Sequence, residues 1–204
     1  MFGKMDLSAV ILAGGDSKRM GTNKAFLTLD NACMIDLIVE KLAGMFHEVL
    51  IVTDRGRDFQ HLNAVIVSDI IKQGEKNALR GIHAGLFHAS SPASFFMACD
   101  MPFLSPPLIH FMSQYALQYD AVIPRVGEYY QPLFAFYHRR VLDRITRSLE
   151  QENFKITDFY AGLDMKEIDE ASVRRYDPGM RSFFNINTRE DYEQAQSLFA
   201  REKS

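Results

Sequence analysis

The sequence predicts an α/β fold, a mostly parallel sheet with helices on both faces, and three observations carry that expectation. Short continuous apolar runs recur along the chain, the pattern of strands buried on both faces. Segments with helical spacing of apolar residues lie between them. Strand and helix therefore alternate, as they do when helices cover both sides of a parallel sheet.

The runs are "AVILA" (9–13), "EVLIVT" (48–53), "NAVIVS" (63–68), "SFFMAC" (94–99) and "AVIP" (121–124). Met34, Ile38, Leu42 and Met45 fall on one helical face, and Ala78, Ile82 and Leu86 on another. Leu108, Phe111, Met112 and Tyr115 mark a third helix, which Ser105 caps and Pro106 opens. The last third is less regular. "YYQPLFAFYH" (129–138) reads as a strand and "HRRVLDRITRSLEQ" (138–151) as a helix. A final helix begins at "TRED", where Thr188 and Asp191 resemble a capping box. No repeat or clear linker divides the 204 residues, so the expectation is one domain over 1–204.

Hydrophobic residues make up 47% and charged residues 24%, the balance of a soluble globular protein with a full core. A net charge of −3 argues against a generic nucleic-acid binder. Cys33 and Cys99 give no disulfide framework and no zinc spacing, and the six histidines show no paired-ligand pattern. There is no signal-peptide core and no apolar run of the ~20 residues that span a bilayer, so a cytoplasmic protein without membrane contact is expected.

"VILAGGDSKRMGTNKAFL" (10–27) is the most informative stretch. Gly14 and Gly15 end a strand and let backbone N–H groups approach an anion. Ser17 offers a hydroxyl, and Arg19 and Lys24 two cations suited to phosphate. Neither G-x-x-x-x-G-K-[ST] nor G-x-G-x-x-G is present. Asp100 stands where the run 94–99 ends, at the edge where open α/β sheets bind ligands, and Pro102 keeps Met101 extended. A lone hard oxygen ligand, completed by water and phosphate oxygens, suits Mg²⁺. Asp69 follows "AVIVS" in the same way, where a simple turn cap also fits.

"LAGGDSKRMGTNKA", "CDMPFL" (99–104), "QPLFAFYHR" (131–139) and "FFNINTREDY" (183–192) together resemble the molybdenum cofactor guanylyltransferases, in the order that family has them. The resemblance spans nearly the whole chain. It implies a three-layer Rossmann-like fold of the nucleotide-diphospho-sugar transferase type. It also implies a nucleotide-binding part over about 1–125 and an acceptor-binding part over about 126–204. By that likeness Leu12, Ala13, Gly14, Gly15, Ser17, Lys24, Asp69 and Asp100 bind the nucleotide. Asp100 holds the metal, Arg19, Lys24 and Asp100 carry catalysis, and Asn185 and Asn187 meet the acceptor. On the residues alone, the asparagines also suit turns before the last helix.

The implied reaction joins GMP from GTP to the molybdopterin phosphate and releases pyrophosphate, with Mg²⁺ as cofactor. Transient contact with cofactor-biosynthesis proteins or recipient molybdoenzymes is expected, while the sequence leaves the oligomeric state open and is compatible with a monomer. Two departures from the family stand out. Val52 occupies the position of an asparagine that meets the guanine, leaving Thr53 or backbone groups to replace it, and "NALRG" (77–81) replaces the usual "GPLAG". A related nucleotidyltransferase using CTP or another nucleoside triphosphate with the same pterin or a sugar or polyol phosphate remains the alternative. A non-catalytic nucleotide-binding module that delivers the cofactor is the second. Arg174, Arg175 and Arg181 read either as substrate contacts or as a solvated face, and Gln131 and His138 as candidate ligand contacts.

Overall fold

The structure, a computed structural model, describes residues 3–14, 24–29, 31–71 and 76–202. The chain opens with β1 (Met5–Leu12), whose residues Leu7 to Ile11 are all buried. A short 3₁₀ turn (Lys24–Phe26) leads to the antiparallel pair β2 (Thr28–Leu29) and β3 (Ala32–Cys33). There follow α1 (Met34–Met45), β4 (Phe46–Val52), β5 (Val65–Val67), α2 (Ala78–His88) and β6 (Ala93–Ala98). Next come α3 (Pro106–Ser113), β7 (Ala121–Val126), β8 (Tyr129–Tyr130) and β9 (Phe134–His138). The chain ends through α4 (Leu142–Glu150), α5 (Ile156–Phe159), β10 (Met165–Ile168), α6 (Glu170–Tyr176) and α7 (Arg189–Glu202).

The main sheet runs β10-β7-β9-β6-β1-β4-β5, with β8 paired to β7. β1, β4, β5 and β6 are mutually parallel, as are β7 and β10. β9 is antiparallel to both β6 and β7, so it is the reversed strand between two parallel groups. Alternation along β1 sorts the core. Ala9 and Ile11 face the side covered by α1, α3, α6 and α7, while Val10 faces the side covered by α2, α4 and α5. The result is the expected three-layer α/β fold.

Two expected elements differ. The run 129–138 is not one strand: the chain turns at Gln131–Leu133, where Gln131 N donates to Pro124 O at 2.9 Å and Phe134 N to Gln131 O at 3.1 Å. Pro132, which has no N–H to give a ladder, sits at that turn. The third helix stops at Ser113, before Tyr115, although Ser105 Oγ caps it at Leu108 N as expected. The capping box before α7 is formed: Asp191 N donates to Thr188 Oγ1 at 3.1 Å, and Thr188 N to Asp191 Oδ2 at 2.8 Å.

Helix α2 lies unusually close to the sheet. A Cβ on Gly85 would stand 2.6 Å from Phe96 Cε1 and 2.7 Å from Val10 Cγ1, distances no side chain tolerates. A Cβ on Gly81 would meet Leu12 Cδ2 at 3.0 Å. The first turn of α2 is thereby held beside the end of β1. Among the described residues no helix is long and apolar enough to cross a membrane.

Candidate active site

Four parallel strands end together at one edge of the sheet, and backbone bonds continue past their ends. Ala13 N donates to Val52 O at 2.9 Å, Thr53 N to Val67 O at 2.9 Å and Cys99 N to Leu12 O at 3.1 Å. The edge therefore carries, side by side, Cys99–Asp100, Leu12–Gly14, Val52–Asp54 and Ser68–Asp69. Gly14 is exposed, as a backbone offered to a ligand must be, while Ala13 is buried beneath it.

Thr53 is the strut of this edge. It is only 4% exposed, its hydroxyl donates to Ala13 O at 3.2 Å, and it accepts from Arg55 N at 3.1 Å. The hydroxyl is thus committed to the scaffold, which corrects the expectation that it could replace the missing asparagine toward a base. Val52 is also buried, packed in the core beneath α2. Of the substitutes considered for that contact, backbone groups remain.

Asp100 is half-buried just past β6, in a turn closed by Met101 N to Ala98 O at 3.3 Å. Its carbonyl accepts from Ile186 N at 2.9 Å, which ties the segment 184–187 to the same edge. Ile186 is fully buried, and Asn185 and Asn187 on either side are exposed. The segment has no regular secondary structure, and buried Ile186 pins it so that the two asparagines both stay exposed. Asn185 Nδ2 donates to Phe183 O at 3.1 Å, and Asn187 N to Asp191 Oδ2 at 2.9 Å.

Asp69 follows β5, with its carboxylate 3.2 Å from Arg80 Nη2. Burial pushes its carboxyl up, the Arg80 charge opposes that, Asp54 adds to it and Lys76 opposes it, and the net direction is above the ordinary value. Gly15, Ser17 and Arg19 lie outside the described residues, as does the Lys24 side chain, although the Lys24 backbone begins the 3₁₀ turn before Phe26. The structure brings Leu12, Ala13, Gly14, Asp69, Asp100, Asn185 and Asn187 to one edge.

Other candidates separate cleanly. His138 lies at the opposite edge, where it pairs with Ala93 at the start of β6 and its Nδ1 accepts from Arg140 N at 3.1 Å. Gln131 stays at the site edge, next to the β8–β9 turn. Arg174 is held by Glu170 at 2.7 Å within α6, the arrangement of a solvated helix face. The sequence offered Thr53 only as a substitute contact for the base, and it gave no sign of the Thr53 bond to Ala13 or of the Arg80 pairing with Asp69. Arg80 had a signal, since within "NALRG" it stands where the family's "GPLAG" has an alanine.

The model of the MobA-like NTP transferase domain family matches residues 9–165. This chain belongs to that family. Members similar to it include a probable molybdenum cofactor guanylyltransferase of Natranaerobius thermophilus, 40% identical over 96% of this chain and 98% of the relative. A molybdenum cofactor guanylyltransferase of Desulfosudis oleivorans is 37% identical over 94% and 95%. The crystal structure of molybdopterin-guanine dinucleotide biosynthesis protein A from Archaeoglobus fulgidus superposes with a TM-score of 0.83, at 26% identity, over 96% of this chain and all of that one. A 2-C-methyl-D-erythritol 4-phosphate cytidylyltransferase from Thermus thermophilus shares the fold, with a TM-score of 0.72 at 18% identity and coverage of 96% and 100%. Family membership makes the chain a nucleotidyltransferase.

Proposed function

We propose that this chain transfers GMP from GTP to the terminal phosphate of the molybdopterin cofactor, forming its guanine dinucleotide and releasing pyrophosphate. The observation that carries this reading is the stitched edge itself. The exposed backbone at Gly14 and the carboxylate-bearing turn at Asp100 stand on adjacent strands joined by the Cys99–Leu12 bond. The names of the relatives support the same substrates.

In the reaction an acceptor phosphate oxygen bonds to the α-phosphorus of GTP as the bond to the β-phosphate oxygen breaks. The nucleophile is already anionic near neutral pH, so no strong general base is needed. Positioning and charge stabilisation dominate, as in phosphoryl transfer. Leu12, Ala13 and Gly14 line the nucleoside through their backbone, and Asp69 accepts from it. Gly15, Ser17, Arg19 and Lys24 hold the triphosphate, with Arg19 and Lys24 countering charge on the departing pyrophosphate. Asn185 and Asn187, pinned by Ile186 to the Asp100 carbonyl, address the acceptor.

Asp100 fits a metal role of a particular kind. Among the described residues no group of three or more His, Cys, Asp or Glu gathers into a cage, whereas one half-buried carboxylate on the strand next to the Gly14 backbone suits Mg²⁺ completed by phosphate and water oxygens. When bound, Mg²⁺ supplies neutralisation of charge on the phosphate oxygens.

The test is a panel of GTP, CTP, UTP and ATP with molybdopterin as acceptor, scored by pyrophosphate release. GTP alone is expected to give turnover. Preference for CTP would overturn the base assignment, and tight GTP binding without turnover for any nucleotide would make the chain a binding module.

A further inference from the structure

Two ion pairs stand where β4 and β5 end. Lys76 Nζ pairs with Asp54 Oδ2 at 2.6 Å, both well exposed. Arg80 Nη2 lies 3.2 Å from Asp69 Oδ2, with side chains only 5% and 12% exposed. The second pair is the unusual one. A buried ion pair adds little net stability, because stripping water from both charges offsets their attraction. Arg80 is also placed against the helix dipole. It stands in the first turn of α2, where its N–H donates to the Asn77 cap at 3.0 Å and where a cation is disfavoured. A neutral side chain would suit the helix better.

What the arginine does is act on Asp69. Burial drives that carboxyl toward its neutral form and Asp54 adds to the effect, with Arg80 and then Lys76 opposing it. The first turn of α2 is in turn fixed beside the end of β1, because Gly81 admits Leu12 against the helix. Arg80 therefore reaches the nucleotide edge from a rigid element.

We propose that Arg80 is a positioning residue for the nucleotide: its buried guanidinium holds Asp69 as an oriented carboxylate that accepts hydrogen bonds from the nucleoside of the incoming GTP. This rests on the proposed function, and it gives the "NALRG" departure a role that an alanine or glycine at residue 80 could not fill.

The test compares wild type, R80M, R80K, D69N and D69N/R80M by GTP affinity in calorimetry without acceptor, by KM and kcat in the pyrophosphate assay, and by Tm. R80M keeps an apolar stem in the helix. It is expected to weaken GTP binding and raise KM about tenfold or more, the worth of one charge-assisted hydrogen bond, with kcat much less affected. R80K should recover part of the loss. The acid limb of kcat/KM should move to higher pH in R80M, since Asp69 loses the cation that favours its charged form. On the D69N background R80M should add nothing, because Arg80 acts through Asp69. Additive penalties, or a lower Tm with unchanged GTP affinity and pH limb, would overturn the proposal. Should R80M fail to fold, D69N/R80M removes both charges of the pair and is compared with D69N, and weaker GTP binding in the double variant overturns it. Wild type that binds GTP without turnover defeats the guanylyltransferase reading while the calorimetric coupling still decides Arg80. A chain that binds no GTP defeats both.

Discussion

The two edges of one sheet treat a half-buried carboxylate in opposite ways. Toward the amino edge, Glu48 Oε2 accepts from Ser8 Oγ at 2.6 Å, Ser90 N at 2.9 Å and Ser90 Oγ at 3.0 Å. Burial alone would raise the Glu48 carboxyl, but these hydrogen bonds from Ser8 and Ser90, aided by His47, bring it below its ordinary value. At the carboxyl edge Asp69 has the charges of Arg80 and, more weakly, Lys76 against desolvation and the neighbouring Asp54, and it ends above its ordinary value. Saturating a carboxylate with fixed donors stabilises a fold. Leaving one under-solvated keeps capacity for a ligand.

The contrast is broken most directly at the carboxyl edge. Asp100→Ala and Lys24→Ala should each lower turnover by roughly 10²–10³ while the Tm stays near that of wild type, the loss expected for one preorganised charge-stabilising group. Near-normal turnover in both variants would dissolve the functional edge altogether. Thr53→Val sits between the two behaviours. It strips the donor from the Ala13 carbonyl and should cost about 1–3 kcal/mol in urea unfolding, with a raised KM for GTP as Leu12–Gly14 loosens.

At the amino edge the expected effect is smaller and belongs to stability alone. Glu48→Gln should cost about 1 kcal/mol in urea unfolding near neutral pH and leave KM and kcat unchanged. The sign with pH follows from linkage. The folded pKa lies below the unfolded one, so the Glu48 contribution is complete above the unfolded value and disappears as pH falls through the folded value. The Tm gap between wild type and E48Q should therefore close on acidification. Asp69 has the reverse sign: its folded pKa is raised, so its ionisation penalises the fold above that value and the penalty lifts as pH falls through it. Least of all, Arg174→Ala should leave both Tm and turnover unchanged, because its pairing with Glu170 is a surface contact. A clear loss of turnover there would return the arginines to the acceptor site.

The strands and helices of the first two thirds were legible because their apolar periodicity is local, as in β1 and α1. β10 and α6 went unread. β10 carries Lys166 and Glu167 on an edge strand, so the alternation that marks a buried strand is weak. The break at Gln131–Leu133 was hidden by apolar residues on both sides of it. Among the candidate site residues, Asp69 and Asp100 stood out by their place past strand ends, and the Asn185–Asn187 pair by family likeness alone. Thr53 and Arg80 could not be assigned a role that way, since each acts on a partner distant in sequence. Thr53 reaches Ala13 and Arg80 reaches Asp69, and neither spacing follows a local rule.

The reversed strand β9 has a consequence for synthesis. β6 pairs with β9 across Ala93–Met97 and Phe134–His138, so until residue 138 leaves the ribosome β6 presents an unpaired edge rich in phenylalanine. At about 5–20 residues per second, the stretch from Ala98 to His138 takes roughly 2–8 s to make. Through that interval β6 lacks the strand that covers its edge, the situation in which edge-to-edge aggregation is favoured.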